Sequence, residues 1–252
     1  MKKRLFPFLL VVSLTAFAKE NISNRYFYSG NEHLAVKGGE KKLNGLSPRL
    51  VALLGYLQKQ MGGKRALITI LSGYRSPAHN EALRRQGKLA GKASLHLEGM
   101  AADFTMNGVE AKKIWEVVRS MDCCGVGYYH GNAVHVDTGP SRFWDETSSK
   151  VFTDISLHNK QIYPVTEYDI YHPGETLHVR LVRMTEYPFG IKNEKGDCIL
   201  IHNREEAQNF SFALPSPSAP NEKLKIKISF CEKPSKEMPD EVFSNAFIVA
   251  AP

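Results

Sequence analysis

The 252-residue sequence predicts an α+β domain with a central antiparallel sheet, followed by an all-β sandwich. Three observations support this fold class. Between about residues 21 and 144, helical periodicity mixes irregularly with short β-rich runs, without the regular strand–helix alternation of a parallel sheet. From about residue 151, apolar residues recur at every second position, as they do in half-buried antiparallel strands. A polar stretch, residues 145–150, separates the two patterns.

Residues 1–18 have the three parts of a secretory signal peptide. Basic residues 2–4 are followed by an apolar run over residues 5–17, and the small residues Ala16 and Ala18 stand at the expected cleavage position. The run is shorter than the ~20 residues that a membrane span needs, although an uncleaved anchor is the alternative. We therefore expect an exported protein, periplasmic or in the cell envelope, with no stable membrane span after cleavage. The predicted mature domains are 19–148 and 149–252.

The charge and composition exclude several classes of protein. The chain is 42% hydrophobic and 23% charged, which is typical of soluble globular proteins and not of collagen-like, largely disordered or polytopic membrane chains. The formal net charge is +7. Removing the signal peptide, which carries three basic and no acidic residues, leaves 234 residues with a net charge of +4. No basic run remains, so we expect no nucleic-acid partner.

The four cysteines raise the question of disulfides, because export brings the chain into an oxidising compartment. Cys198 and Cys231 could pair within the C-terminal half. Cys123 and Cys124 are adjacent, and we expect that they cannot easily pair without backbone strain. Four reduced thiols are the alternative.

Helix-capping residues predict the starts of three helices in the first half. Serine followed by proline opens two of them, over 49–61 after Ser47 and over 77–86 after Ser76, because the serine hydroxyl caps free N–H groups. Asn107 is the predicted cap of a third helix, over about 109–121. Strands are predicted over 66–71 and 101–106. A hairpin is predicted over 126–130 and 133–138, around a two-residue turn at Gly131-Asn132.

The C-terminal half shows period-two alternation typical of antiparallel strands. Leu177, Val179 and Leu181 alternate with polar residues, and so do the apolar residues of 224–230. Proline and glycine pairs break the strands. We therefore predict a β-sandwich accessory domain, in which the sequence shows no metal-binding or nucleophile constellation.

His96, Asp103 and His135 form the candidate metal site. Asp103 lies in the predicted strand 101–106, and His135 alternates with apolar residues in the predicted strand 133–138, so both can face one cleft. His96 follows a Gly/Lys-rich loop that can bring it to the sheet. Two imidazoles and one carboxylate suit Zn²⁺, which keeps its fourth position open for water in catalytic sites. Each residue alone is weak support, because single His and Asp residues usually have structural roles.

The motifs around these residues carry a resemblance to a known family. They are Ser72-Gly73-Tyr74-Arg75-Ser76, Ser94-x-His96-x-x-Gly99-x-Ala101-x-Asp103, Gly125-Val126-Gly127-Tyr128-Tyr129 and Val134-His135-Val136-Asp137-Thr138-Gly139. This set resembles the LAS zinc metallopeptidases, which include D-Ala-D-Ala carboxypeptidases and the hedgehog signalling domain, and within them the murein endopeptidase K branch. The resemblance covers about residues 25–145 and does not reach the C-terminal half.

The resemblance implies a LAS/hedgehog-like zinc peptidase domain with Zn²⁺ ligands at His96, Asp103 and His135. It also implies hydrolysis of peptidoglycan stem-peptide cross-links, between two diaminopimelate residues in this branch. Carried onto this chain, Arg75 would bind the substrate carbonyl or the developing oxyanion, where a guanidinium can share the negative charge with the metal. Without the motif, Arg75 would be interpreted as a solvated turn residue.

The general base and the substrate contacts are less determined. Many relatives carry an acid three residues before the last His ligand, where this chain has Asn132. Asp137 is the candidate base, with a hydrogen bond to a ligand imidazole as its alternative role, and His130 is a more distant candidate.

Ser94 could contact substrate or shape the loop, and we expect Tyr128 to contact substrate. Tyr128 and Tyr129 should point to opposite faces, so at most one reaches the cleft. Trp144 is expected to pack at the domain edge.

Four functions remain open at this stage. An exported peptidoglycan endopeptidase is the leading hypothesis. A D-Ala-releasing carboxypeptidase uses the same chemistry with a different pocket. A catalytically silent, zinc-containing cell-wall binding module is the alternative from another class, as is a scaffold whose working part is the β-sandwich. The oligomeric state is not indicated.

Overall fold

The computed structural model describes residues 25–28, 34–88, 90–148, 157–216 and 221–250. The predicted signal peptide lies outside these residues, as do residues 149–156 at the predicted domain boundary. None of the described helices has the length and apolar character needed to cross a membrane.

Three α-helices form in the first half: α1 (Pro48–Met61), α2 (Pro77–Arg85) and α3 (Ala111–Ser120). The first two begin as predicted, with the Ser47 and Ser76 hydroxyls accepting backbone N–H groups of the first turn. The prediction that Asn107 caps α3 is wrong. That helix begins after Glu110, and the Asn107 side chain donates instead to the carbonyl of Arg65.

A five-stranded sheet forms the centre of the first half. Its order is β1-β2-β4-β3-β5. The strands are β1 (Ile68–Ser72), β2 (Ala101–Met106), β3 (Gly125–Tyr128), β4 (Val134–Asp137) and β5 (Arg142–Asp145). The first four are antiparallel to their neighbours, as predicted, whereas β5 runs parallel to β3.

The two faces of this sheet have different chemistry. One face carries Ala102, Phe104, Val126, Val134 and Val136, which are fully buried in a hydrophobic core. The apolar stripe of α1 and the buried residues of α3 complete that core. Because side chains alternate along a strand, Asp103, His135 and Asp137 point to the opposite face. The sheet therefore separates its core from a polar site.

The loop between β3 and β4 is longer than expected. Tyr128 pairs with Val134, so residues 129–133 form a five-residue connection, and the predicted two-residue turn at Gly131-Asn132 is wrong. His130 takes a positive φ of 56° in this loop. The positive φ thus falls on a histidine, which the glycine-based turn rule does not anticipate.

Both possible cysteine pairs form disulfides, Cys123–Cys124 and Cys198–Cys231. The expectation that Cys123 and Cys124 cannot easily pair is wrong. They lie in the turn between α3 and β3, after Asp122 with its positive φ of 50°, and not in a strand, where successive side chains point apart. The possible pairing of Cys198 with Cys231 is confirmed, whereas four reduced thiols are not found.

The described C-terminal half contains strands and short 3₁₀ turns without an α-helix. Sheet β10-β9-β12-β13, sheet β11-β8-β6 and the two-stranded β14-β7 are formed there. The bounds are β6 (Tyr163–Thr166), β7 (Ile170–Tyr171), β8 (Thr176–Val182), β9 (Phe189–Lys192), β10 (Cys198–Ile201), β11 (Phe210–Ala213), β12 (Lys227–Glu232), β13 (Glu241–Phe243) and β14 (Ile248–Val249). Leu177, Val179 and Leu181 are buried in one core shared by the two larger sheets, so the alternation predicted the core face of β8. The α+β and all-β character is confirmed; the hedgehog-like and sandwich classes remain predictions.

A third, smaller hydrophobic cluster joins the two halves. It contains Leu95, Met100 and Ala101 from the first half and three residues of the second, Tyr163, Val165 and Val182. Leu95 and Met100 stand on either side of His96 in the chain. The C-terminal half therefore packs close to the predicted metal site.

Candidate metal centre

His96, Asp103 and His135 come together as the sequence predicted. One ligand atom from each lies within 4.8 Å of the other two, and all three residues are buried. Asp103 and His135 are register partners on β2 and β4. His96 comes from a short 3₁₀ helix, Leu95–Glu98, just before β2.

The His96 ring is oriented by the main chain. Its Nδ1 lies 2.7 Å from the Gly73 carbonyl oxygen, which can only accept, so Nδ1 carries the proton. Nε2 then faces Asp103 Oδ2 at 3.4 Å with a free lone pair. Burial lowers the pKa of His96, against the opposing effect of Asp103. The ring is therefore neutral near pH 7, which is the form that binds a metal.

His135 lies between two carboxylates. Its Nδ1 is 3.0 Å from Asp103 Oδ1, and its Nε2 is 2.8 Å from Asp137 Oδ2. Burial by itself would lower the pKa of His135, but the hydrogen bonds to Asp103 and Asp137 raise it to about 9. A metal ion on the Asp103 side would take the place of the Nδ1 proton, while Nε2–H stays on Asp137.

Asp103 is the most highly connected residue of the site. Besides the two histidines, Arg75 Nη2 donates to it at 2.8 Å and the Tyr129 hydroxyl at 3.0 Å. Burial would raise the pKa of Asp103, but the hydrogen bond from His135 holds it well below its ordinary value. The carboxylate is therefore ionised and available as a ligand.

Asp137 stands behind His135 and has no exposed surface. Besides His135, its carboxylate accepts from Arg142 through both terminal nitrogens and from the Gly139 N–H. Burial would raise its pKa, but Arg142 and His135 hold it well below the ordinary value. These contacts favour the second role that the sequence left open for Asp137, that of orienting a ligand imidazole.

Arg75 and Ser94 both lie next to the cluster. Arg75 is fixed by its Nε donating to Ser72 Oγ at 2.8 Å, and its backbone N–H donates to the His96 carbonyl at 3.0 Å. Ser94 precedes the short helix that carries His96, and its hydroxyl accepts the His96 N–H at 3.4 Å. Of the two roles that the sequence left open for Ser94, the structure supports shaping the loop.

The aromatic residues are placed differently from the prediction. Tyr128 packs on the core side against Trp115, 6.0 Å between ring centroids, so the expectation that Tyr128 faces the cleft is wrong. Tyr129 reaches Asp103 instead. Trp144 lies on β5, at the edge of the sheet, and its ring lies 5.0 Å from Tyr129 and 6.0 Å from His135.

His130 lies away from the metal cluster in these contacts. Its Nε2 is 2.7 Å from Asp145 Oδ1 and 3.0 Å from the Thr147 hydroxyl. These are partners at the far end of β5, and the His130 side chain is 42% exposed. The structure therefore gives His130 a role in holding the β3–β4 loop against the end of β5.

Three residues of the site were not found from the sequence: Tyr129, Arg142 and Trp144. One signal was available for Trp144, namely the glycine at position 127 in Gly-Val-Gly. A Cβ atom at Gly127 would lie 2.0 Å from the Trp144 ring, so only glycine leaves room for that ring. The Arg142–Asp137 pair spans β4 and β5, and no spacing in the sequence predicts it.

The donor set fits a metal ion. Two imidazole nitrogens and one carboxylate, all buried, are the ligand types of three-ligand zinc sites, and each histidine has its second nitrogen held by a protein acceptor. The three residues could therefore hold an ion without rearrangement of their outer partners.

Comparison with known proteins finds a family model that is similar to this part of the chain. Residues 29–144 match the family model described as peptidoglycan L,D-endopeptidase MepK. The chain is 38% identical over 104 residues to the peptidoglycan L,D-endopeptidase MepK of Escherichia coli K12, which is 41% of this chain and 57% of that protein. It is 39% identical over 100 residues to the probable peptidoglycan L,D-endopeptidase MepK of Haemophilus influenzae, 39% of this chain and 54% of that protein.

The chain thus spans a little over half the length of these curated relatives. No solved structure matches the chain. The matched segment contains the whole five-stranded sheet apart from the last residue of β5. It also contains the three candidate metal ligands. The part of this chain that builds the metal centre is therefore similar, over residues 29–144, to the peptidoglycan L,D-endopeptidase MepK family.

Proposed function

We propose that this protein is an exported zinc metallopeptidase that cleaves stem-peptide cross-links of peptidoglycan, as an L,D-endopeptidase of the periplasm or cell envelope. The observation that carries the proposal is the buried cluster of His96, Asp103 and His135, built within the segment similar to that family. Residues 19–148 would be the peptidase domain and residues 149–252 an accessory β-domain.

Zn²⁺ is the cofactor that this donor set favours. His96 Nε2, an oxygen of Asp103 and His135 Nδ1 would hold it. When bound, it would supply a Lewis acid that polarises the scissile carbonyl and lowers the pKa of a water molecule.

The protein's own residues would then position the substrate and its charges. The Arg75 guanidinium, which Ser72 and Asp103 hold, would neutralise the negative charge that develops on the scissile carbonyl oxygen. Asp137 would keep His135 in the tautomer whose Nδ1 faces the site. Tyr129 and Trp144 would form the aromatic wall beside it.

For proton transfer we propose Glu146 in place of Asp137. Arg142 and Trp144 of β5 both face the site, and Glu146 directly follows β5, with its N–H donating to the Tyr128 carbonyl at 2.9 Å. The charge of Glu146 is close enough to contribute to the raised pKa of Tyr129, behind burial and Asp103. An exposed carboxylate can accept and release protons, which the fully paired Asp137 cannot.

Digestion of intact cross-linked peptidoglycan tests the function. Loss of cross-linked dimers, with cleavage between diaminopimelate residues, supports the L,D-endopeptidase. Release of D-Ala would indicate a carboxypeptidase instead. Bound zinc without any product would favour the silent binding module. Asn132 is the reason to test for such a module, because it stands where many relatives have an acid.

The variant His135→Ala is expected to lose activity and zinc binding but to keep its fold, because only one of the three ligands is removed. His202→Ala, an exposed histidine of the C-terminal half, is the matched control and should behave as wild type. Zinc per chain and dimer cleavage are measured for both. Cleavage by His135→Ala at the wild-type rate would show that the site is misassigned.

Glu146→Gln is expected to lower kcat by about 10²–10⁴-fold, the usual contribution of a general acid–base residue, with zinc content unchanged. Glu116→Gln, at an exposed acid of α3, is its control. If Glu146→Gln cleaves peptidoglycan like wild type, another group carries the proton.

A further inference from the structure

The loop that carries His96 is contacted by the C-terminal half at several points. We define the His96 loop as residues 93–99. Three arginines of the C-terminal half donate to its main-chain oxygens: Arg183 Nε to Ala93 at 3.2 Å, Arg204 Nη2 to Leu97 at 3.4 Å and Arg180 Nη2 to Glu98 at 3.5 Å. These contacts flank the metal ligand on both sides.

The Glu98 side chain forms ion pairs with two of these arginines, Arg180 and Arg204. Its carboxylate is 2.6 Å from Arg204 and 3.5 Å from Arg180, and only 3% of the side chain is exposed. A buried carboxylate without a positive partner would be strongly unfavourable. Because both arginines come from the C-terminal half, the first half cannot bury Glu98 favourably without it.

The loop is also held on its other side, by the first half. The backbone N–H groups of Arg75 and Ser47 donate to the His96 and Gly99 carbonyls, at 3.0 and 2.8 Å. Leu95 of the loop is buried together with Val165 and Val182 of the C-terminal half. The His96 loop is therefore enclosed between the two halves.

We propose that the C-terminal half acts as a clamp that sets the metal-binding geometry, with Arg180, Arg183 and Arg204 as positioning residues for His96. This rests on the proposed zinc site. His96 is the ligand that no strand of the sheet carries, so its approach to Asp103 and His135 depends on the conformation of the loop. Fastening the loop at Glu98 and Leu97 holds that conformation before the ion arrives.

The test is zinc affinity, measured on the full chain by competition with a chromophoric chelator. The double variant Arg180→Gln/Arg204→Gln should bind Zn²⁺ at least 10-fold more weakly, within the range that loss of residues supporting a metal ligand causes. Arg204→Lys, which keeps a positive charge beside Glu98, should lie between that variant and wild type. Arg65→Gln, an exposed arginine after α1, is the matched control and should not change the affinity.

Hydrogen exchange separates a local clamp from general destabilisation. In Arg204→Gln, which replaces a side chain 41% exposed and so should fold, the amides of Leu97 and Gly99 should exchange at least 10-fold faster, with Phe104 and Val134 in the sheet unchanged. Equal acceleration in the sheet would overturn the clamp, as would zinc affinity within 2-fold of wild type with a protected loop.

The two proposals can fail separately. If the wild-type chain binds no Zn²⁺, the proposed function is overturned, and the loop amides alone then decide whether the clamp exists. If the wild type binds zinc and the double variant binds it equally well, only the clamp is overturned.

Discussion

Asp137 and His135 show how contacts in the structure favour one of two roles that the sequence leaves open for a single residue. Spacing by two places both side chains on one face of β4, and a carboxylate beside a metal ligand is an obvious candidate base. The structure adds Arg142 and the Gly139 N–H, which both donate to the Asp137 carboxylate. A carboxylate held well below its ordinary pKa by a buried guanidinium is a poor proton acceptor.

The variant Asp137→Asn is expected to weaken zinc binding and lower kcat by about 10–100-fold, because an amide can present its NH₂ group to His135 and so favour the wrong tautomer. It also leaves the Arg142 charge without its partner. Zinc affinity and dimer cleavage are the measurements. Asp122→Asn, an exposed carboxylate bonded to Ser141, is the control that should leave both unchanged. Normal zinc affinity in Asp137→Asn would contradict the orienting role.

The candidate ligands could be predicted from sequence because they stand in recognisable motifs, whereas Tyr129, Arg142 and Trp144 beside them could not. His96, Asp103 and His135 stand in segments whose residue order is itself informative. The position of Tyr129 depends on which face of the sheet each tyrosine takes. The position of Trp144 depends on the parallel pairing of β3 with β5, which no local pattern encodes. Tyr128 was misplaced for this reason. Alternation predicts that the two tyrosines point to opposite faces, but not which of them faces the polar site.

At the scale of secondary structure elements, local chemistry predicted helix starts better than turns. Ser-Pro is a strong signal for the starts of α1 and α2, because the cap and the proline act within one turn. The start of α3 was displaced because Asn107 finds a tertiary acceptor, Arg65, and thus leaves the cap position. The β3–β4 loop was misjudged because Gly-Asn favours a two-residue turn locally, while His130 is held outside it by Asp145.

The contact between β3 and β5 depends on Gly127, and Gly127→Ala tests it. The new methyl group would meet the Trp144 ring, so we expect a loss of about 1–3 kcal/mol in the free energy of unfolding and displacement of Trp144 from His135. Gly131→Ala is the matched control, since a Cβ there meets no atom within 4 Å, and its change should stay within about 0.5 kcal/mol. Denaturant unfolding measures both. Equal stability of the two variants would contradict the close approach.

At the scale of the whole molecule, a buried ion pair connects the halves. Arg49 of α1 lies 3.0 Å from Asp169, which has no exposed surface, and its Nη1 also donates to the Thr138 carbonyl at 3.2 Å. Burial raises the pKa of Asp169 even with Arg49 beside it. The sequence places these residues 120 positions apart, so nothing in either half predicts the pair.

Arg49→Met should lower the free energy of unfolding by about 3–5 kcal/mol, because it leaves the Asp169 carboxylate buried without its positive partner. Lys227→Met removes the surface pair with Glu241, whose side chains are about half exposed, and should change stability by at most about 1 kcal/mol. Thermal or urea unfolding compares the two variants with wild type. A small effect of Arg49→Met would show that the halves are joined chiefly by their apolar contacts.

The short segment 25–28 contacts the C-terminal half, on the other side of the predicted domain boundary. It precedes the first-half sheet in sequence, yet the Tyr26 hydroxyl donates to the Glu167 carbonyl, and the Asp169 N–H donates to that of Arg25. Neither disulfide crosses between the halves, so cutting the chain near residue 149 would leave two pieces linked by non-covalent contacts alone. A fragment ending at residue 148 would contain segment 25–28 but would lack the residues of the C-terminal half that this segment contacts. Tyr28 of the same segment packs against the first-half core beside Tyr56, so segment 25–28 contacts both halves, and neither half expressed alone would keep all of its contacts.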